Sequence, residues 1–302
     1  MKVYDSSDFE ILDNLIGTGS YSNVFLVKCS RDNQDYAVKV LIGTDSPELK
    51  DRFLHEVYIV SHLSHPALVK FYGMTLHYPY YLVSEYMPNK SVQSYIHEIN
   101  MGQIPEEKRW NMTTKFIIIL GVCFGMGYLH SRNIVHRNLK PSNILLDSHY
   151  YPKLCDFGQA KELSSSNHCH SMVGTIAFCA PEVMLADGDI GYDGRKADSF
   201  SFGMTLYSIL YESHPYQEMN NQYQLMKKIV QGERPELNVD DRELKSLNQL
   251  IMRCWGMEPM QRPNFEEITN IILAEKDKYV KLNQIDEKKV NEYIMYCNES
   301  LQ

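Results

Sequence analysis

Between His136 and Gly158 the chain reads His-Arg-Asn-Leu-Lys-Pro-Ser-Asn-Ile-Leu-Leu and then, past a short polar turn, Leu-Cys-Asp-Phe-Gly. Arg137 and Lys140 supply cations, Asn138 and Asn143 amides, and Asp156 a carboxylate. Amide and carboxylate oxygens are hard ligands of the kind Mg²⁺ takes while it also holds substrate phosphates. Asn143 and Asp156 are therefore candidate metal ligands, and Lys140 is a nearby cation for a phosphoryl group in transfer. Two short strands must position these groups. Ile144-Leu145-Leu146 and Tyr151-Pro152-Lys153-Leu154 flank the turn Asp147-Ser148-His149-Tyr150, and the spacing predicts a hairpin with the polar groups at its mouths.

A second set of residues lies near the N-terminus. Phe9–Ile16 leads into Gly17-Thr-Gly19-Ser-Tyr-Ser22-Asn-Val24, and Val24–Val27 continues as a strand. Glycines between two strands let backbone N–H groups approach a polyphosphate closely, although an ordinary hairpin has the same look. A dinucleotide fold is excluded, because a strand and not a helix follows the glycines. Tyr36–Val40 alternates as a strand that carries Lys39. Pro47–Leu63 has helical periodicity, with Phe53, Val57 and Val60 on one face and Glu56 beside them.

The 302 residues exceed one ordinary core, so two lobes around a cleft are expected. An apolar content of 44% and a charged content of 23% are those of a globular protein. The net charge of -8 argues against nucleic acid as a partner. Seven cysteines, scattered and without a C-x-x-C pair, fit reduced thiols in a cytoplasmic setting. His168-Cys169-His170 has no second ligand pair at zinc spacing and is read as ordinary surface chain. The first residues lack an apolar signal core. Phe116–Met126, the longest apolar run, is too short to span a bilayer and reads as a buried helix, so no membrane insertion is expected.

Taken in order, these segments resemble the eukaryotic protein kinases. His136–Asn143 is similar to the catalytic loop H-R-D-L-x-x-x-N, and Asp156-Phe157-Gly158 to the D-F-G segment. Further matches are the Gly17–Val24 turn, with Ser22 for the third glycine, and Ala180-Pro181-Glu182. Asp198–Gly203 and Arg262-Pro263 complete the set. The resemblance covers about residues 9–273 and implies an α+β, bilobal kinase fold: a β-rich N-lobe over about 9–84, a hinge at 85–88 and a mainly helical C-lobe over about 89–275. Residues 1–8 would be an N-terminal extension and 276–302 a C-terminal helix or tail. Lys140 and the style of the surrounding segments resemble the tyrosine-kinase-like group of serine/threonine kinases.

The resemblance also assigns roles. ATP and Mg²⁺ are the implied cofactors. Lys39 would grip the α/β-phosphates and pair with Glu56. Ile16, Gly17, Gly19, Ser22, Val24, Ala37 and Leu145 would surround the nucleotide, with Ser84 as gatekeeper and the backbone of Glu85–Met87 bonding the adenine. Asn143 and Asp156 would hold the metal. Glu162–Ser171 would belong to an activation segment, with Ser164, Ser165, Ser166, Ser171 and Thr175 as regulatory hydroxyls and Arg137 as the partner for a phosphate. The implied protein partner presents Ser or Thr hydroxyls, and a monomer is the default for such a domain.

One position departs from the pattern. The family has Asp where this chain has Asn138. An amide oxygen still accepts a hydrogen bond, but it takes no proton near neutral pH and carries no negative charge. Losing a positioned base costs about 10²–10⁴-fold in rate. Three readings stay open at this point: a serine/threonine kinase whose base has been replaced, a natural pseudokinase that binds ATP and acts as a scaffold, and a kinase of residual activity in which the substrate assists its own proton loss.

Overall fold

The computed structural model describes residues 1–10, 15–19, 21–163, 168–171, 173–186, 191–219, 221–238 and 241–299. The N-terminal part is a twisted sheet of β1 (Lys2–Tyr4), β2 (Phe9–Glu10), β3 (Leu15–Thr18), β4 (Ser22–Cys29), β5 (Asp35–Leu41), β6 (Phe71–Thr75) and β7 (Tyr81–Glu85). Its order is β1-β6-β7-β5-β4-β2, and β3 also pairs with β4. The expected stretch 9–16 is thus two strands along one edge of β4, with residues 11–14 outside those described.

Residues 1–8, expected as an N-terminal extension, pack onto the sheet. β1 runs parallel to β6, from Lys2 opposite Gly73 to Tyr4 opposite Thr75. Tyr4 is buried in an apolar cluster with Phe9, Tyr36 and Tyr81. Gly73 makes this possible, because a Cβ there would lie 2.0 Å from the Lys2 carbonyl oxygen. Three residues are too short a run to announce a strand by alternation alone.

Helix α1 (Pro47–Ser61) lies against the sheet. Ser46 caps it by accepting the Leu49 N–H at 3.2 Å, and Pro47 sits in the first turn where its missing N–H costs nothing. Leu49, Phe53, Val57 and Val60 form the buried stripe the periodicity predicts. Glu56 is buried on the same side, which needs a partner to be tolerated.

The second lobe is helical around α3 (Met112–Ser131), with α2 (Val92–Asn100) beside it. Three small two-stranded antiparallel sheets follow. In the first, β9 (Ile144–Leu146) pairs with β10 (Pro152–Leu154). In the second, β8 (Ile134–Val135) pairs with β11 (Lys161–Glu162), and in the third β12 (His168–Cys169) pairs with β13 (Tyr192–Asp193). The hairpin predicted around residues 147–150 is therefore present. Helices α4 (Pro181–Met184), α5 (Gly194–Tyr211), α6 (Gln222–Val230), α7 (Lys245–Cys254) and α8 (Phe265–Lys281) complete the lobe. α3 is 20 residues, longer than its apolar run suggested, and long and apolar enough to cross a membrane by length and composition alone. Here it is the core of the lobe, with Phe116–Val122 buried throughout. Its Gly121 permits close packing on β10, since a Cβ would meet Pro152 Cγ at 2.2 Å.

The C-terminal stretch is folded. α8 runs on past residue 275, and α9 (Glu287–Glu299) docks on α3 through Val290, Tyr293 and Cys297. The Asp286 N–H donates to Thr113 Oγ1 at 2.9 Å and fixes the start of that helix.

Candidate active site

The loop after β8 is held from below. Asp198, fully buried on α5, accepts the backbone N–H of His136 at 2.9 Å and of Arg137 at 2.8 Å, and also contacts His130 Nε2 at 2.9 Å. Burial pulls the His136 pKa below its ordinary value, so the ring is neutral. Its Nδ1 accepts the Asn138 N–H at 3.3 Å, which leaves Nε2–H to donate to the Cys155 carbonyl at 3.2 Å. One imidazole thus ties the loop carrying Asn138 to the strand end carrying Asp156. Arg137 (φ 62°) and Asp156 (φ 61°) both adopt left-handed backbone, which residues other than glycine rarely take without surrounding structure to hold them.

Three charges meet at the junction of the lobes. Lys39 Nζ lies 2.7 and 2.9 Å from the Glu56 carboxylate oxygens and 2.9 Å from Asp156 Oδ1. Burial alone would lower the lysine's pKa, but the two carboxylates reverse this and raise it, so Lys39 stays charged. Burial raises Glu56, with Lys39 opposing. At Asp156 burial pulls upward, and the attraction of Lys39 wins and lowers it. α1 is fastened to the segment beyond Asp156 as well: His55 Nε2 lies 2.8 Å from the Ala160 carbonyl, and Tyr58 donates to Glu162 at 3.0 Å.

Around Asn138 the polar atoms form a short chain. Its amide nitrogen donates to Asp156 Oδ2 at 3.3 Å, while its Oδ1 faces Thr175 Oγ1 at 3.5 Å. Lys140 Nζ donates to that same hydroxyl at 2.7 Å, and burial pulls the Lys140 pKa below the ordinary lysine value. Asn143 gives its amide nitrogen to the Asn138 carbonyl at 2.8 Å. That bond fixes the flip of the side chain and leaves its oxygen as the ligand atom. Asp156 carboxylate and Asn143 amide oxygens make the hard donor set that suits Mg²⁺, so the residues present fit that ion.

The remaining expected positions distribute as follows. Ile16 and Gly17 lie on β3, Val24 on β4, Ala37 on β5 and Leu145 on β9. The Gly19 N–H donates to the Ser22 carbonyl at 2.7 Å, and Ser22 is buried. Ser84 stands opposite Ala37 and donates to its carbonyl at 3.2 Å, with Glu85 and buried Met87 following. Arg137 donates to the Gln159 carbonyl at 2.7 Å and to Ser171 Oγ at 3.2 Å. Ser164, Ser165 and Ser166 lie outside the described residues. Glu182 and buried Arg262 form a bidentate pair at 2.5 and 2.9 Å. Clefts of about 750 and 820 Å³ lie behind the hinge and beneath α2, and neither is lined by Lys39, Asn143 or Asp156. The charge cluster, not cavity volume, marks the site.

Sequence reasoning missed His55, His130 and Lys153. A histidine beside Glu56 and a lysine three residues before Asp156 were visible, but nothing in their spacing told a buried partner from a solvated charge.

The architecture has two lobes, with Lys39, Glu56 and Asp156 meeting at their junction. Residues 11–272 match the family described as "Protein kinase domain", and the chain belongs to that family. A Dictyostelium discoideum protein described as a probable serine/threonine-protein kinase is 35% identical over 275 residues, covering 88% of this chain and 19% of its own length. Serine/threonine-protein kinase STY46 of Arabidopsis thaliana is 33% identical over 256 residues, 84% of this chain and 42% of its own. Mouse receptor-interacting serine/threonine-protein kinase 4 is 30% identical over 287 residues, 89% of this chain and 34% of its own. The chain thus spans less than half the length of these relatives.

Proposed function

We propose that this chain is a serine/threonine protein kinase domain that holds ATP with Mg²⁺, and that its transfer step is slowed by the amide at position 138. The observation that carries the reading is the convergence of Lys39, Lys140, Asn143 and Asp156 on one junction, with Asn138 and Thr175 beside them. Lys39 and Lys140 offset phosphate charge. Asn143 and Asp156 hold the metal, whose contribution is to neutralise the phosphates. The hinge backbone takes the adenine, and a protein substrate places its Ser or Thr hydroxyl at Asn138 Oδ1. That oxygen orients the hydroxyl but does not take its proton. Ser171, within reach of Arg137, is the regulatory hydroxyl this reading favours, because a phosphate there would gain charge-assisted bonds. Cytoplasmic, monomeric operation belongs to the same reading, and the seven free cysteines support its reducing compartment.

One observation favours the scaffold alternative. The Asn138 amide donates to Asp156, a bond a carboxylate there could not make. The two readings separate on Asn138→Asp. The exchange is nearly isosteric, so the kinase reading expects γ-phosphate transfer to a generic basic protein to rise about 10²–10⁴-fold, the range of a general base. Both forms are assayed side by side, also after treatment with an active kinase. If the Asp form binds nucleotide but transfers no faster than the Asn form, the scaffold reading replaces the kinase one.

A further inference from the structure

Lys153 is the one buried lysine among the described residues, at 7% exposure. A lysine costs several kcal/mol to bury unless a counter-charge and hydrogen bonds meet it. Its Nζ lies 3.1 Å from Glu85 Oε1, and those side chains are 9% and 22% exposed. Burial works against the Lys153 charge, and Glu85, with Tyr296 and Asp147 helping, more than compensates and raises its pKa. The same Glu85 oxygen accepts the Lys70 N–H at 2.6 Å, while the Glu85 N–H donates to the Lys70 carbonyl at 3.0 Å.

The two partners meet where two separate segments of the chain come together. Glu85 closes β7 and begins the hinge segment, whereas Lys153 lies on β10, three residues ahead of Asp156. Between them Leu154 N–H donates to the Ala67 carbonyl at 2.8 Å, and Val69 N–H to the Leu154 carbonyl at 2.9 Å. The strand leading to Asp156 is therefore tied by its backbone to residues 67–69, and Glu85 at the start of the hinge is tied to it through Lys70 and the ion pair. Buried ion pairs contribute little net stability compared with apolar packing, and their better-attested effect is to fix register.

We propose that Glu85 and Lys153 are positioning residues that set the hinge backbone against the Asp156 segment, so that both ends of one nucleotide are engaged together. Neither side chain need touch the nucleotide. The inference rests on the reading that the cleft holds ATP. Without the pair, the hinge and the strand carrying Asp156 lose their fixed spacing, and the cost falls on ligand affinity.

The test is the dissociation constant of Mg-ADP, measured by calorimetry on the full chain well below its melting temperature. Lys153→Met should weaken binding about tenfold, within the usual range of coupling between linked sites. Lys153→Arg, which keeps the charge and the reach, should restore it. Glu85→Gln, which keeps an acceptor for the Lys70 N–H, should weaken binding in the same direction and serves if Lys153→Met does not fold. Lys115→Met is the control: it breaks a comparably buried pair, Lys115–Glu212 at 2.8 Å, and should lower the melting temperature without changing affinity. If Lys153→Met and Glu85→Gln also lower only the melting temperature, the pair is structural and the proposal is overturned. A wild-type chain that binds no Mg-ADP at millimolar concentration instead overturns the nucleotide reading, and the proposal with it.

Discussion

Replacing Lys39 by Met isolates what the charged trio costs. The substitution removes the only cation among the described residues within hydrogen-bond distance of Glu56, whose side chain is 8% exposed, and also deprives Asp156 of its 2.9 Å partner. An isolated buried carboxylate neutralises itself by taking a proton, and fully buried Glu residues titrate as high as about 8–9. The signs follow from the directions in the native fold. Glu56 is raised above its ordinary 4.5, so stability falls as pH climbs from that value towards the folded one. Losing Lys39 extends this window through neutrality. Asp156 is lowered, and its contribution disappears only on acidification below its ordinary 3.8, outside the range tested. Holding Glu56 protonated costs about 1.36 kcal/mol for each pH unit above 4.5, which is about 3.4 kcal/mol at pH 7 and about 1.4 at pH 5.5. With an unfolding entropy near 2.1 cal/mol/K per residue, 302 residues convert these to ceilings of about 5 °C and about 2 °C on the Tm deficit, because Glu56 is already raised in the native fold and the wild type bears part of the same cost. Differential scanning fluorimetry of variant and wild type in parallel at both pH values reads the difference. Glu56→Gln in the Lys39→Met background should abolish the pH dependence. A deficit that is equal at the two pH values, or larger at pH 5.5, refutes an unpaired Glu56 as its source.

Two further outcomes follow from the same geometry. Arg262→Met strips Glu182 of a bidentate partner whose side chain has no exposed surface, and breaking such a pair costs about 3–5 kcal/mol; scanning calorimetry should show a large drop in Tm, with Arg262→Lys recovering only part because lysine lacks the fork. Asn138→Asp replaces the 3.3 Å amide donation to Asp156 with a second carboxylate, so Mg²⁺ titration of the nucleotide-induced melting shift should give a half-effect concentration about tenfold lower, and an unchanged value would show that position 138 does not sense the metal.

What sequence reasoning reached was what local spacing encodes. The 147–150 turn and the α1 stripe were legible, because a hairpin and a 3.6-residue period each leave a local trace, whereas the Lys39–Glu56 pair was implied by the resemblance to the protein kinases. Lys153 and His136 were not legible in their roles. Both depend on burial created by segments far off in the chain, Glu85 for one and Asp198 with Cys155 for the other. β1 escaped notice for a similar reason: its three residues become a strand only because Gly73 lets Lys2 approach. The last helix was ambiguous because Val290, Tyr293 and Cys297 are sparse among charges, and only the face of α3 gives them somewhere to go.

Position 138 can be separated from everything that holds it. Asp198 fixes the backbone N–H groups of residues 136 and 137, neutral His136 fixes the N–H of 138, and Asn143 fixes its carbonyl. None of these bonds involves the side chain at 138, so an amide and a carboxylate would occupy the same place. What the amide alters is local: one negative charge is absent where a hydroxyl would lose its proton, and one N–H points at Asp156 where a lone pair would stand. The first change acts on the barrier and the second on the metal ligand. Among the described residues the bonds that hold position 138 are all made, so a pseudokinase reading would draw its support from chemistry at Asn138 rather than from the backbone around it.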